Sequence, residues 1–405
     1  MEKQSKFNRR GFLKSSVIGA TGIVVGQNAL GRTTKTNIPE EEENAKIVYR
    51  TLGKTGIKLP IVNMGVMRAD NPNLVKAALA KGITHLDTAH GYQGGRNEEM
   101  LGKLLVDYPR DSYTIATKIH QPGSDRQTGL YSDEATEETF LNMFEISLKR
   151  LKLEYVDILY HHMPGSGEAT LHEPTLNAMK KLKKSGKAKF LGVSTHGKEP
   201  EIIQAAIDSG VYDVVLVAYN FKQGNVEKVS EAINNAAKAG LGIVAMKTMA
   251  GGFYDKERQH PVNTKAALKW ALQNPNVHTA IPGFTSYDHL EESFGIMENP
   301  ELTDEEKKDI EKGESLVSLY CKGCRECVEQ CTKTLPVPDL MRAYMYTYGY
   351  SNLEKAHQLL VSLDVSENPC ADCRECTVNC TSGFNVAEKI KDVSRLINVP
   401  EDFIS

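Results

Sequence analysis

With 405 residues, 49 basic against 52 acidic side chains and a formal net charge of -3, the chain offers no electrostatic case for a nucleic-acid partner, and no long basic stripe is set among aromatics. A length above roughly 300 residues exceeds what one core organises, so a domain of about 250 residues with a smaller companion is expected, and small molecules are the default ligands. The eight cysteines fall in two runs of four, the first beginning at Cys321, and none precedes them.

Residues 8–14 read Asn-Arg-Arg-Gly-Phe-Leu-Lys and lead into a weakly apolar run as far as Gly26. Paired arginines before an apolar run too short to span a bilayer resemble a twin-arginine export signal, here residues 1–31. It implies a periplasmic location, or one on the outer face of the cytoplasmic membrane, with the uncleaved signal as the sole membrane contact. Gln27-Asn28-Ala29 is a poor cleavage site. Residues 32–46, with Glu40, Glu41, Glu42 and Glu43, read as a polar linker.

From residue 47 to 299 short apolar strands alternate with amphipathic helices. Residues 49–60, with Gly53 and Gly56 at turn spacing, predict a hairpin. Strand and helix then recur at 61–66 and 73–81, 83–87 and 98–106, 113–118 and 134–151, 156–161 and 174–184, 188–194 and 200–209, 214–219 and 226–239, 242–246 and 264–273, and 279–281 and 287–297. Gly82, Gly186, Gly210 and Gly240 stand where a left-handed cap would end a helix. Eight such units predict an α/β fold, a closed (β/α)8 TIM barrel, and the lack of GxGxxG after the first strand argues against a Rossmann domain. Lys180, Lys181, Lys183, Lys184 and Lys187 read as a solvated face.

Active sites of such barrels gather at the carboxyl ends of the strands. Asp87, Lys118 and His162 end the second, third and fourth strands, and Tyr92 follows Asp87 past a turn at Gly91. Protonating the alkoxide made by hydride transfer needs an acid, and a tyrosine of pKa about 10 serves if a cation favours its ionised form. Lys118 can supply that field, Asp87 can hold the ammonium, and His162 can hydrogen-bond a substrate carbonyl. Strand alternation sends the adjacent His161 to the opposite side, where it is structural, and His90 reads as a hydrogen-bonding loop residue.

Residues 50–297 resemble the aldo-keto reductase superfamily: Leu86-Asp87-Thr88-Ala89-His90-Gly91-Tyr92 looks like its Asp/Tyr motif, and Lys118 and His162 match its remaining catalytic positions. The resemblance implies reduction of an aldehyde or ketone, or oxidation of the alcohol, with NADP or NAD and no flavin. It also implies cofactor contacts. Gly192-Val193-Ser194-Thr195 looks like the family's Gly-Val-Ser-Asn, with Ser194 and Thr195 at carboxamide-binding positions; Leu216 replaces a carboxamide-binding Gln, and Met246 the Tyr that stacks on nicotinamide. Lys247 implies a phosphate contact. Gly283 and His289 stand where the family's Lys and Arg grip the adenosine phosphate, Glu292 matches an adenine contact, and Ser293 replaces its Asn.

Residues 300–314 read as a linker or helix before a small, mainly α-helical unit at 315–397. Cys321, Cys324, Cys327 and Cys331 are spaced CxxCxxCxxxC, and Cys370, Cys373, Cys376 and Cys380 repeat that spacing, which is that of ferredoxin-type [4Fe–4S] ligands. Structural zinc takes two separated CxxC pairs, and disulfides in an exported protein carry no reason for the repeat. The fourth ligand is expected to cross over, so Cys380 joins the first three and Cys331 joins Cys370, Cys373 and Cys376. The wide gap between the runs resembles an α-helical ferredoxin module, with Tyr344, Tyr346, Tyr348 and Tyr350 packed over two [4Fe–4S] clusters. The whole reads as an exported NAD(P)H-dependent oxidoreductase of a small carbonyl or alcohol, with a redox protein as a second kind of partner. The alternative is a non-catalytic redox sensor or electron-transfer protein built on the barrel.

Overall fold

The computed structural model describes residues 47–404 except 70, 126–127, 317–318, 320 and 322, so the export signal and linker expected at 1–46 lie outside the described residues. Strands β1 (Tyr49–Thr51) and β2 (Lys58–Pro60) form the hairpin, Tyr49 opposite Pro60. Eight parallel strands follow: β3 (Met64–Gly65), β4 (His85–Asp87), β5 (Thr114–Ile119), β6 (Val156–His162), β7 (Ala188–Thr195), β8 (Val214–Ala218), β9 (Gly242–Met246) and β10 (Thr279–Ala280). Each pairs with the next in chain order, and parallel bridges from Val62 to Ala280 and from Gly65 to Gly283 close the ring. A Cβ on Gly65 would lie 2.8 Å from the Ile281 carbonyl oxygen, so the seam closes tightly only around a residue with no side chain.

Strand alternation divides the core. Ala116, Ile158, Tyr160, Leu216 and Val244 point into the barrel, where Leu52 and Leu59 of the hairpin plug the end at which the strands begin. Ile115, Leu159, Val193, Val215 and Ile243 point outward beneath the helices. Those helices are α1 (Pro72–Ala80), α2 (Arg96–Leu104), α3 (Glu137–Leu151), α4 (Gly167–Thr170), α5 (Glu173–Lys184), α6 (Glu199–Ser209), α7 (Val226–Ala239), α8 (Thr264–Gln273) and α9 (Tyr287–Glu298). Their ends are built locally: the Thr136 hydroxyl accepts from Thr139 N at 3.1 Å to start α3, and Gly240 in the left-handed region stops α7.

Helix α10 (Asp304–Ser315) opens with a capping box in which Thr303 and Glu306 satisfy each other's backbone, and buried Glu306 also takes the Lys269 ammonium at 3.0 Å. After the first cysteine run come α11 (Val337–Tyr344), a π-helical turn at Met345–Gly349, α12 (Leu353–Ser362) and, after the second run, α13 (Val386–Ser394). Leu340, Tyr344, Leu360, Val386 and Ile390 centre an apolar cluster of their own. The gap between the two runs is therefore helical but interrupted between the π-helical turn and α12, and Ser351 takes a positive φ at the break.

This break docks on the barrel. Gly252 N donates to Gly349 O at 3.1 Å, Arg68 to Tyr350 O at 2.6 Å and Arg258 to Ser351 Oγ at 2.6 Å; Arg96 pairs with Glu354 at 3.0 Å and Lys256 with Asp392 at 2.6 Å. The barrel partners all follow strand carboxyl ends, so the helical segment covers the barrel mouth, and the two form one compact unit. Tyr344 and Tyr348 face the cysteine-bearing core, but the Tyr346 ring lies beside Lys247 of the barrel and the Tyr350 ring packs on Tyr346, a departure from the expectation that all four pack over the cysteines. None of the described helices is long and apolar enough to cross a membrane.

Gly53 sits at φ +52°, and a Cβ there would lie 2.4 Å from Gly242 N at the base of β9. Gly53→Ala is expected to destabilise the fold by more than about 1 kcal/mol, read as a lowered urea midpoint.

Candidate active site at the barrel mouth

Asp87, Lys118 and His162 do converge, because β4, β5 and β6 are neighbours in the ring and all three side chains alternate inward. The Lys118 ammonium is 1% exposed and donates to the Asp87 carboxylate, to Thr88 O at 2.6 Å and to the Tyr92 hydroxyl at 3.4 Å. The ammonium also lies 4.9 Å from the Tyr92 ring centroid. Burial works against the charge on Lys118, but the carboxylate and the phenol more than offset it, and its pKa lies above the ordinary value. Burial pushes the Tyr92 phenol up while Lys118 pulls it down; the lysine acts in the expected direction but is outweighed in the resting site.

His162 presents an edge to Tyr92, ring centroids 6.1 Å apart at 80°. Burial and then the nearby Lys118, His120 and Lys355 charges hold its imidazole well below the ordinary range, so it is neutral at pH 7. His120, just past the end of β5 and two residues beyond Lys118, donates from Nδ1 to His162 O at 2.9 Å. Tyr160 lies beneath, its ring 5.9 Å from the Lys118 ammonium. Thr88 donates to Asn97, whose amide donates to Val66 O at 2.7 Å, and Thr117 donates to Glu98, so the first turn of α2 pins the strand ends. His90 turns away to Ser147 Oγ at 2.9 Å, as a loop anchor.

These groups can together hold a carbonyl oxygen between a neutral imidazole and a phenol backed by a cation. The profile of the Aldo/keto reductase family matches residues 51–266 and 262–314, most of the barrel and α10. The chain belongs to the Aldo/keto reductase family. It is accordingly an NAD(P)-dependent oxidoreductase. Among curated relatives, L-galactose dehydrogenase of Arabidopsis thaliana is 27% identical over 315 residues, covering 67% of this chain and 95% of that one. L-glyceraldehyde 3-phosphate reductase of Escherichia coli O157:H7 is 26% identical over 331 residues, covering 67% and 93%. A thermostable aldo-keto reductase solved with the inhibitor epalrestat is 26% identical, covers 66% of this chain and 99% of its own, and superposes with a TM-score of 0.52.

In this aldo-keto reductase the positions at which nicotinamide contacts were expected are partly engaged. Buried Ser194 accepts from Met163 N at 3.3 Å, and buried Thr195 donates to Gly197 O at 2.7 Å. Leu216 is fully buried inside the barrel, and half-buried Met246 packs on the same cluster. The Lys247 ammonium is buried with no hydrogen-bond partner among the described residues and lies 5.8 Å from the Tyr346 ring. Burial, then Arg342, holds it well below its ordinary pKa, and an unpaired buried cation is a group that a phosphate would satisfy. Gly283, His289 and Glu292 are exposed at the seam, where His289 Nδ1 meets Thr285 Oγ1 at 3.2 Å and Glu292 accepts from Thr264 at 3.1 Å; Ser293 is buried.

The eight cysteines are free thiols in two sets. Cys321, Cys324, Cys327 and Cys380 line one cavity with Met341 and Phe384, and Cys331, Cys370, Cys373 and Cys376 line another with Leu335 and Ile390. Val337 and Val386 line both. Burial, with Cys321 and Cys324 next, pushes the Cys327 thiol up to about 12. Among the described residues no three His, Cys, Asp or Glu side chains converge as ligands of one ion would. A four-iron cluster gives each thiolate its own iron, so its ligands ring a cavity rather than a point.

His120, Tyr160, Tyr346 and Lys355 are mouth residues that sequence reasoning missed. The period of β5 and β6 places the first two beside Lys118 and His162; no local signal marks the others, which arrive from the helical segment.

His161 is fully buried, between the hydroxyls of Tyr131 at 2.7 Å and Tyr212 at 3.1 Å. Tyr212 donates to Thr170 O at 2.8 Å, so it accepts from Nδ1–H and Tyr131 donates to Nε2. Burial lowers this imidazole to about 3, below the 6.5 of an unperturbed histidine, so below pH 6.5 the unfolded chain binds a proton that the folded one does not. Stability from His161 is full above pH 6.5 and is lost as pH falls toward 3, by about one decade in the unfolding constant per pH unit. His161→Gln is expected to flatten that slope by one proton in unfolding titrations.

Proposed function

We propose that the protein reduces a small aldehyde or ketone, or oxidises the corresponding alcohol, at the Asp87–Lys118–Tyr92–His162 site, using NADPH or NADH. The observation that carries this is the buried Lys118 ammonium held between Asp87 and the Tyr92 hydroxyl, next to a neutral His162. When bound, the dihydronicotinamide supplies a hydride. Neutral His162 donates a hydrogen bond to the substrate oxygen and orients it; Tyr92, protonated in the resting site, releases its proton to the oxygen as charge develops there; Lys118 stabilises the phenolate left behind. Ser194, Thr195 and Met246 are the residues that would hold the nicotinamide, and the orphaned Lys247 ammonium fits its phosphates.

We further propose that the two cysteine sets hold two [4Fe–4S] clusters, in the crossed pairing expected from the repeat. Four thiols around each apolar cavity, with neither set forming disulfides, support this reading. Such clusters supply one-electron steps, and the thiols of this segment hold them. A cluster protein bound for the periplasm crosses the membrane folded, which the twin-arginine signal proposed at 1–31 permits. A second reading, a redox sensor or electron carrier, draws on the cover over the mouth: the Tyr346 ring lies beside Lys247, where cofactor phosphate is expected.

Tyr92→Phe is expected to abolish carbonyl reduction while NADPH affinity stays within a few fold, since only the proton donor is lost; unchanged turnover would sink the enzymatic reading in favour of the second. Anaerobically isolated protein should carry close to eight iron and eight sulfide per chain. In Cys331→Ser, spectroscopic damage should fall on the cluster held by Cys370, Cys373 and Cys376, and damage to the other set would overturn the crossed pairing.

A further inference from the structure

A cavity of about 360 Å³ opens over Tyr92, walled on the barrel side by Met67, Arg68 and Gln93 and on the other by the first turn of α12, with Asn352, Lys355 and Gln358. None of the positions expected to contact the cofactor lines it.

Lys355 is out of place by ordinary helix electrostatics. It stands in the first turn of α12, after the Asn352 cap, where the partial positive charge of the helix end disfavours a cation. Among the described residues its half-buried ammonium joins no ion pair. The adjacent Glu354 also lines the cavity, but its carboxylate is held by Arg96 at 3.0 Å and by Gln358 at 3.1 Å and not by Lys355. Burial holds Lys355 below its ordinary pKa, with Glu354 opposing, and its charge is felt at His162. An unpaired cation and a helix N-terminus thus face a cavity whose floor includes the proton donor, and an anion there would satisfy both.

We propose that Lys355 recognises a carboxylate on the substrate, so that the site takes carbonyl compounds bearing an acid group beside the reacting carbon, the 2-oxo acids and their 2-hydroxy acid products. This rests on the reading of Tyr92 and His162 as the carbonyl site. The specificity residue comes from the helical segment, so substrate choice depends on the cover over the barrel and not on the barrel alone.

The test uses the full chain, isolated anaerobically, with phenylglyoxylate and benzaldehyde, which differ by the carboxylate. Lys355→Met should raise KM for phenylglyoxylate by about tenfold or more, with Lys355→Arg retaining most of the affinity, while KM for benzaldehyde and Kd for NADPH stay within about twofold. An equal rise for both substrates, no rise for either, or a loss of NADPH affinity overturns the proposal, the last by assigning Lys355 to the cofactor. Oxalate binding followed by calorimetry needs no turnover. If Tyr92→Phe left reduction intact, the carbonyl-site reading would fall, yet weaker oxalate binding in Lys355→Met would still support an anion site; equal oxalate binding in the two proteins overturns it.

Discussion

The ion pair between Lys118 and Asp87 is the constraint to which the barrel mouth answers. Both groups are buried, and the cost of taking two charges out of water is several kcal/mol per ion unless geometry and further hydrogen bonds repay it. Here the Thr88 carbonyl and the Tyr92 hydroxyl take the remaining protons of the ammonium. Asp87 Oδ2 has no hydrogen-bond partner among the described residues. The ammonium's contact with the Tyr92 hydroxyl strengthens when that phenol becomes a phenolate, and the first turn of α2, through Asn97 and Glu98, pins the strand ends that carry the pair.

The second determinant is the segment beyond α10. It buries its own apolar cluster but spends one side of the α11–α12 break on the barrel, where Tyr350 and Ser351 accept from Arg68 and Arg258. The electrostatics of the mouth are therefore joint property: His162 feels Lys355 from the segment as well as Lys118 and His120 from the barrel, and Lys247 feels both Arg342 and Cys321. Gly323, beside the first cysteines, packs against the His196 carbonyl, so the set that includes Cys321 is the one next to the barrel. The cavity lined by Cys370, Cys373 and Cys376 includes no barrel residue. The set that includes Cys321 therefore lies toward the barrel and the other set farther from it.

Much of this was legible in the chain because it is written in short-range periodicities. A strand of period two ending in a turn determines which face Asp87, Lys118 and His162 occupy, and parallel pairing in chain order makes those faces neighbours. The same period separates His162 from His161 and would have nominated His120 and Tyr160. Eight strand and helix repeats suffice for a barrel, and the doubled cysteine spacing suffices for two sets of four, since residues three apart can surround one cavity and the ferredoxin-type spacing hands the fourth thiol across.

What the sequence by itself determined is thus the barrel, the inward set of side chains and the division of the thiols into two sets, three from one run and the fourth from the other. The docking of the helical segment was decided only in three dimensions. It depends on where Tyr350 and Ser351 happen to offer carbonyl and hydroxyl groups to Arg68 and Arg258, contacts across 282 and 93 residues that no local pattern encodes. For the same reason Tyr346 could not be told from Tyr344, nor Lys355 from a solvated helix lysine. Whether a tyrosine packs over thiols or a cation faces a cavity depends on what lies across the interface, and that is a property of tertiary packing rather than of spacing.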